Sequence, residues 1–174
     1  MKNILTSQSN FANLGRGNDY ERLEDFLNNA TVGVHLVDKN GIILYANAAE
    51  LKMLGYSAEE YIGHNINEFH LRQSALESIF SKLLKNEKIN NHEAALRCKD
   101  GSIREVVINS NAYFENDAFK HTRCFTRDIT ENKRVERLLR FLNKAGEELT
   151  ATHNTQEALD TIIKLVVPGF ADWF

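Results

Sequence analysis

Six histidines (His35, His64, His70, His92, His121 and His153) and two cysteines (Cys98 and Cys124) are the side chains best suited here to proton transfer, metal ligation or nucleophilic attack. Their spacing favours none of these. The cysteines lie far apart in strand-like segments, with no C-x-x-C pair and no histidine at metal-ligand spacing. Both are expected to be reduced structural thiols. No glycine-rich phosphate cradle of the P-loop or dinucleotide type occurs, and no nucleophile–base pair or carboxylate dyad is evident. The chain is therefore expected to catalyse nothing by itself.

More informative is the number of polar residues in the strand-like runs: Arg97, Arg104, Glu105, Asn109, Asn111, His121, Arg123 and Arg127. In a sheet with one face packed on helices, alternate residues are simply solvated. The competing expectation is that some point inward, because a few convergent polar groups in an apolar pocket orient a small ligand. Arg97 and Asn109 are the candidates, an inward arginine favouring a carboxylate or phosphate. His70, just ahead of a long helix, is the third ligand-binding candidate.

The 174 residues carry 21 Lys+Arg against 24 Asp+Glu, a formal charge of −3, with 43% hydrophobic and 26% charged residues. That is ordinary globular composition. It lacks the basic excess or stripe that nucleic-acid binding exploits, so no nucleic-acid partner is expected. No run approaches the roughly 20 apolar residues of a membrane helix, and the N-terminus is too polar for a signal peptide. A cytoplasmic protein with no membrane insertion is expected.

These residues must be positioned by elements legible in the pattern. Residues 1–18, rich in Asn, Ser, Gly and Gln, are expected to be a flexible tail. Residues 19–30 form an amphipathic helix with Tyr20, Leu23, Phe26, Leu27 and Ala30 on one face. From Thr31 the period changes to two. TVGVHLVD and IILYAN read as a hairpin turned at Asn40–Gly41. Short helices follow, one ended by Gly55 and one opened by a Ser57/Glu60 capping box. A longer helix spans about 74–87, on the stripe Leu76, Ile79, Phe80, Leu83 and Leu84. Three more strands are separated by Asp100–Gly101 and Asn116–Asp117. In the last, Phe119, His121, Arg123 and Phe125 share one face and Lys120, Thr122, Cys124 and Thr126 the other. The final long helix repeats Val135, Leu138, Leu142, Ala145 and Leu149 at spacings of 3, 4, 3 and 4, a heptad seam.

The strings VDKNGIILYAN, LGYSAEEYIG, LRCKDGSIREV and TRDIT, in this order, make residues 31–130 closely resemble a PAS domain of the S-box type. The resemblance implies an α+β fold: a five-stranded antiparallel sheet in order 2-1-5-4-3, with helices over one face enclosing a cavity. It also implies a sensory or dimerisation role in bacterial signal transduction, typically upstream of a histidine kinase in a two-component system. Asn47 matches the family's strand-ending asparagine and is expected to be structural, capping the next helix. Asp128 and Thr130 match the closing D-[IV]-T motif, expected to relay movement of the sheet into the helix of residues 131–153. Residues 154–174 look like the truncated start of a GAF-like domain.

The resemblance also sets limits. A kinase phosphoacceptor histidine is followed by an acidic residue and soon by proline; the only proline is Pro168, and none of the six histidines fits. Flavin photosensors of this fold need a cysteine in an NCRFLQ-like string, where this chain has GHNINEFHLRQ, so a flavin–cysteinyl adduct is excluded. Haem-binding relatives use a histidine inside the long helix. SALESIFSKLLKNE has none, leaving His70 as the only near candidate, and haem is not expected. Any cofactor is thus unknown. The expected functional unit is a homodimer joined along the heptad seam, taking a small-molecule ligand and feeding a downstream signalling domain. The alternative is a ligand-free dimerisation scaffold.

Overall fold

The computed structural model describes residues 19–151. The expected tail and the GAF-like segment lie outside them. The chain parts into two units between Arg127 and Asp128.

In the first unit, helix α1 (Asp19–Asn28) precedes the hairpin of β1 (Gly33–Val37) and β2 (Ile43–Ala46). The turn works because Gly41 takes φ +84°, open to glycine without a Cβ penalty, while the Asp38 carboxylate accepts the amides of Asn40 and Ile42. Helix α2 (Ala48–Leu54) stops at Gly55 in the left-handed region, and α3 (Ala58–Tyr61) starts under the Ser57/Glu60 capping box. A 3₁₀ turn, Ile66–Glu68, which the sequence pattern did not reveal, is held by its own Asn65/Glu68 box. Helix α4 (Gln73–Leu84) leads into β3 (Ile89–Arg97), β4 (Ile103–Glu115) and β5 (Ala118–Asp128).

The sheet runs β2-β1-β5-β4-β3, the order the sequence led us to expect, with β5 central and β1 antiparallel to both its neighbours, β2 and β5. Helices α2 to α4 pack Leu54, Tyr61 and Leu76 against Val37, Ile43 and Val106 of the sheet. Each such side chain contributes about 2 kcal/mol by burial. Tyr56, Tyr61 and Phe69 form an aromatic knot with centroids 4.5–6.0 Å apart. Cys98 lies just beyond the end of β3, and both cysteines are buried and free.

Strand β5 resolves which of its two faces is inward. Thr122, Cys124 and Thr126 are buried, whereas Phe125 is 41% exposed. The Thr122–Cys124–Thr126 face is the inner one, and the face with His121 and Arg123 is the outer.

The second unit contributes α5 (Thr130–Ala151). Val135, Leu138 and Leu142 are exposed along it, with Leu139 beside them, and Ala145 is half-buried. The Leu149 side chain lies outside what is described. Glu136 pairs with Arg140 and Lys133, surface contacts of little energetic weight.

Candidate functional site

A cavity of about 30 Å³ lies between the sheet and α4. The sheet supplies His35 and Val37 from β1, Ile108 and Ser110 from β4, and Thr122 and Cys124 from β5. The opposite wall is His70 and Ile66 with Leu76, Ile79, Phe80 and Leu83 of α4. It has room for about two water-sized molecules.

The sheet wall is built around one ion pair. His35 is brought directly opposite Cys124 by the β1–β5 register. Its Nδ1 donates to Glu50 Oε1 at 3.0 Å, with both side chains almost wholly buried, and the Tyr61 hydroxyl donates to the same oxygen at 3.3 Å. Thr126 Oγ1 stands 3.5 Å from the ring. Burial alone would push His35 toward neutrality, but Cys124 and Glu50 outweigh it and raise its pKa well above the ordinary value. The ring is an imidazolium at neutral pH. Burial similarly works against ionising Cys124. The facing His35 charge and hydrogen bonds from His35, Ser110 and Thr122 overcome it and lower the thiol's pKa. Ser110 Oγ lies 3.0 Å and Thr122 Oγ1 3.4 Å from Sγ. Tyr61 is raised by burial and by Glu50, so it stays a phenol and a donor.

Glu50 can sit here because of Gly33. A Cβ on residue 33 would come within 1.9 Å of Glu50 Oε2. That oxygen is buried and has no hydrogen-bond partner among the described residues, so the ion pair holds the carboxylate through one oxygen only.

Asn47 braces the same corner. Its Oδ1 accepts from Val34 N and Glu50 N, and its Nδ2 donates to the carbonyls of Leu27 and Val32. Every hydrogen bond an asparagine amide readily makes is used structurally, as expected.

His70 differs from His35. It is 92% buried and no hydrogen-bond partner for its ring occurs among the described residues. Burial, then the nearby His35 charge, lowers its pKa to about 4. It is a neutral imidazole with hydrogen-bonding capacity to spare.

Of the three ligand candidates, only His70 lines the cavity. Arg97 is exposed and engages its surroundings through its backbone, the amide donating to Phe69 and the carbonyl accepting from Tyr56. Asn109 alternates with Ile108 and Ser110, which take the cavity side. Its Oδ1 instead accepts the amide of Asn91, freed where the β3–β4 register shifts and Asn91 adopts φ +50°. At the proposed relay, Asp128 Oδ1 accepts both the Thr130 amide at 2.8 Å and the Thr130 hydroxyl at 2.6 Å.

Sequence reasoning missed His35, Glu50 and the setting of Cys124. The available signal was weak. Glu50 shares a helical face with Leu54, and an acidic residue on a buried face needs a partner.

A five-stranded antiparallel sheet with short helices over one face thus encloses a small cavity. The PAS fold family model matches residues 21–129, and the chain belongs to that family. The structure is similar to the PAS domain of an HTR-like protein from Haloarcula marismortui (24% identity, TM-score 0.57, covering 63% of this chain and 90% of that one). It is similar also to a domain of a sensory box sensor histidine kinase/response regulator from Geobacter sulfurreducens (15%, TM-score 0.55, 62% and 92%). A third is the Drosophila melanogaster Cycle PAS-B domain with bound ethylene glycol (16%, TM-score 0.52, 55% and 98%). No curated protein matches the chain. No helix among the described residues is long and apolar enough to cross a membrane.

Proposed function

We propose that this chain is the input module of a signalling protein: its cavity takes a small polar molecule, and α5 relays occupancy to a downstream output domain such as a histidine kinase. The observation that carries this reading is His70, buried, neutral and without a hydrogen-bond partner for its ring among the described residues, in the same cavity as the charged, Glu50-paired His35. A site with spare hydrogen-bonding capacity facing a fixed charge orients a polar guest. The Cycle PAS-B domain, with its bound ethylene glycol, is a precedent of scale. Strand β5 contributes Thr122 and Cys124 to the cavity and runs into Asp128, whose carboxylate fastens the start of α5. A guest that shifts β5 therefore biases the helix.

On this reading the output state is a homodimer joined along Val135, Leu138, Leu142, Ala145 and Leu149. Replacing Leu138 and Leu142 by Asp is expected to give a monomer by light scattering; an intact dimer would remove the seam from the account. Native mass spectrometry tests the cavity. A retained small molecule, lost in His70→Leu, supports sensing, and an empty protein that dimerises unchanged favours the scaffold alternative.

A further inference from the structure

We propose that Cys124 is a peroxide-reactive thiol, oxidised to the sulfenic acid by hydrogen peroxide admitted to the cavity. The inference rests on the same cavity as the sensory reading but not on the relay.

Three observations carry it. Cys124, His35 and Glu50 form a thiol–imidazole–carboxylate series: Cys124 faces His35 across the β1–β5 pairing, and His35 is held by Glu50 at 3.0 Å. That is the order of nucleophile, base and orienting acid which activates a thiol. The sulfur also has two hydroxyls, Ser110 and Thr122, within 3.4 Å, able to donate to a thiolate. Finally, Cys124 lines a cavity whose opposite wall offers His70, a buried imidazole with no hydrogen-bond partner among the described residues. A peroxide molecule is close to two waters in size and needs donors and acceptors at both ends; Cys124 and His70 provide them.

Burial usually makes a thiol inert, because neither a stabilising charge nor a reagent reaches it. Here the imidazolium supplies the charge and the cavity the space. His35 and the two hydroxyls hold the thiol below its ordinary pKa despite burial. Cys98 is the internal contrast. It is as buried, but its sulfur hydrogen-bonds the Met53 carbonyl at 3.9 Å, it has no place in the β1–β5 pairing that sets His35 against Cys124, and it does not line the cavity.

The step balances without another reactant. The Cys124 thiolate attacks one peroxide oxygen; an S–O bond forms as the O–O bond breaks. Sulfur is oxidised by two electrons, and the peroxide is reduced to hydroxide, which takes the proton of the His35 imidazolium and leaves as water. The product is a neutral sulfenic acid beside a neutral imidazole still bonded to Glu50. The lost charge and added oxygen fall on β5, four residues before Asp128.

The test uses the full chain. It is exposed to hydrogen peroxide, quenched with catalase, unfolded in dimedone, and mapped by mass spectrometry. Cys124 is expected to carry the adduct at least tenfold faster than Cys98. Its rate should rise less steeply from pH 6 to 8 than that of an ordinary thiol, which climbs about tenfold per unit below its pKa. The native protein should meanwhile resist 5,5′-dithiobis(2-nitrobenzoate), which is too large for the cavity. His35→Gln should slow Cys124 about tenfold and restore the ordinary pH dependence. Equal rates at the two cysteines in the native wild-type protein, or no Cys124 adduct, overturn the inference whatever the variant does. A small molecule retained by an unreactive protein would sink the thiol chemistry and leave the sensory reading standing.

Discussion

Two histidines share one cavity and take opposite protonation states. His35, on the sheet, is charged because Glu50 and Cys124 face it; His70, on the helical side, has no anion in contact and stays neutral. Burial is nearly equal for the two, 98% and 92%. Depth in the fold therefore does not decide charge here. The partner does: burial penalises any charge, and only a geometrically fixed counter-charge overcomes that penalty.

The most severe way to break the contrast is Glu50→Ala. Stranding the His35 imidazolium without its carboxylate is expected to cost about 3–5 kcal/mol, read as a lower urea midpoint. Gly33→Ala attacks the same pair from the backbone, since its methyl must displace the Glu50 carboxylate. About 2 kcal/mol of destabilisation is expected by thermal unfolding, and Glu50→Gln in the same background should recover none of it.

Acid titration separates the two histidines by sign. His70 has a folded pKa near 4, below its unfolded value of about 6.5, so the unfolded chain binds more protons between those limits. Stability falls as pH falls through that window, by about 2 kcal/mol between pH 7 and 5, and His70→Leu should flatten the slope. His35 acts oppositely. Its raised pKa contributes stability that is fully present below about pH 6.5 and is lost as pH rises through its folded value. Denaturation curves at pH 5, 7 and 9 read both limbs. The smallest effect lies away from the cavity: Asp128→Ala removes the acceptor at the start of α5 and should cost about 1 kcal/mol, seen as helix fraying by amide exchange with the His35 site unchanged.

Much of the scaffold was legible because its signals are local. The Ser57/Glu60 box, the left-handed Gly55 stop and the Asn116–Asp117 turn are decided by residues within a few positions of one another, and each is present. The candidate site was legible only in part. His70 was found from its place before α4, but Arg97 and Asn109 were chosen as polar residues on strands without knowing which face each would take. A bulge near Asn91 then gave Asn109 a backbone amide to satisfy, and the end of β3 left Arg97 in solvent. The 3₁₀ turn at Ile66–Glu68 was missed because its cap, an asparagine three residues before a glutamate, sits outside any long apolar period.

By itself the sequence determined the order of elements, the turns, the caps and, through its motif strings, the family. Those depend on backbone preferences and on periodicities read over a few turns. Only the tertiary structure decided that the Thr122–Cys124–Thr126 face of β5 turns inward and that His35, Glu50, Tyr61 and Cys124, spread over 90 positions of chain, meet around one charge. Strand register and helix docking bring such groups within 3–4 Å, and electrostatics acts on that distance, not on separation in sequence.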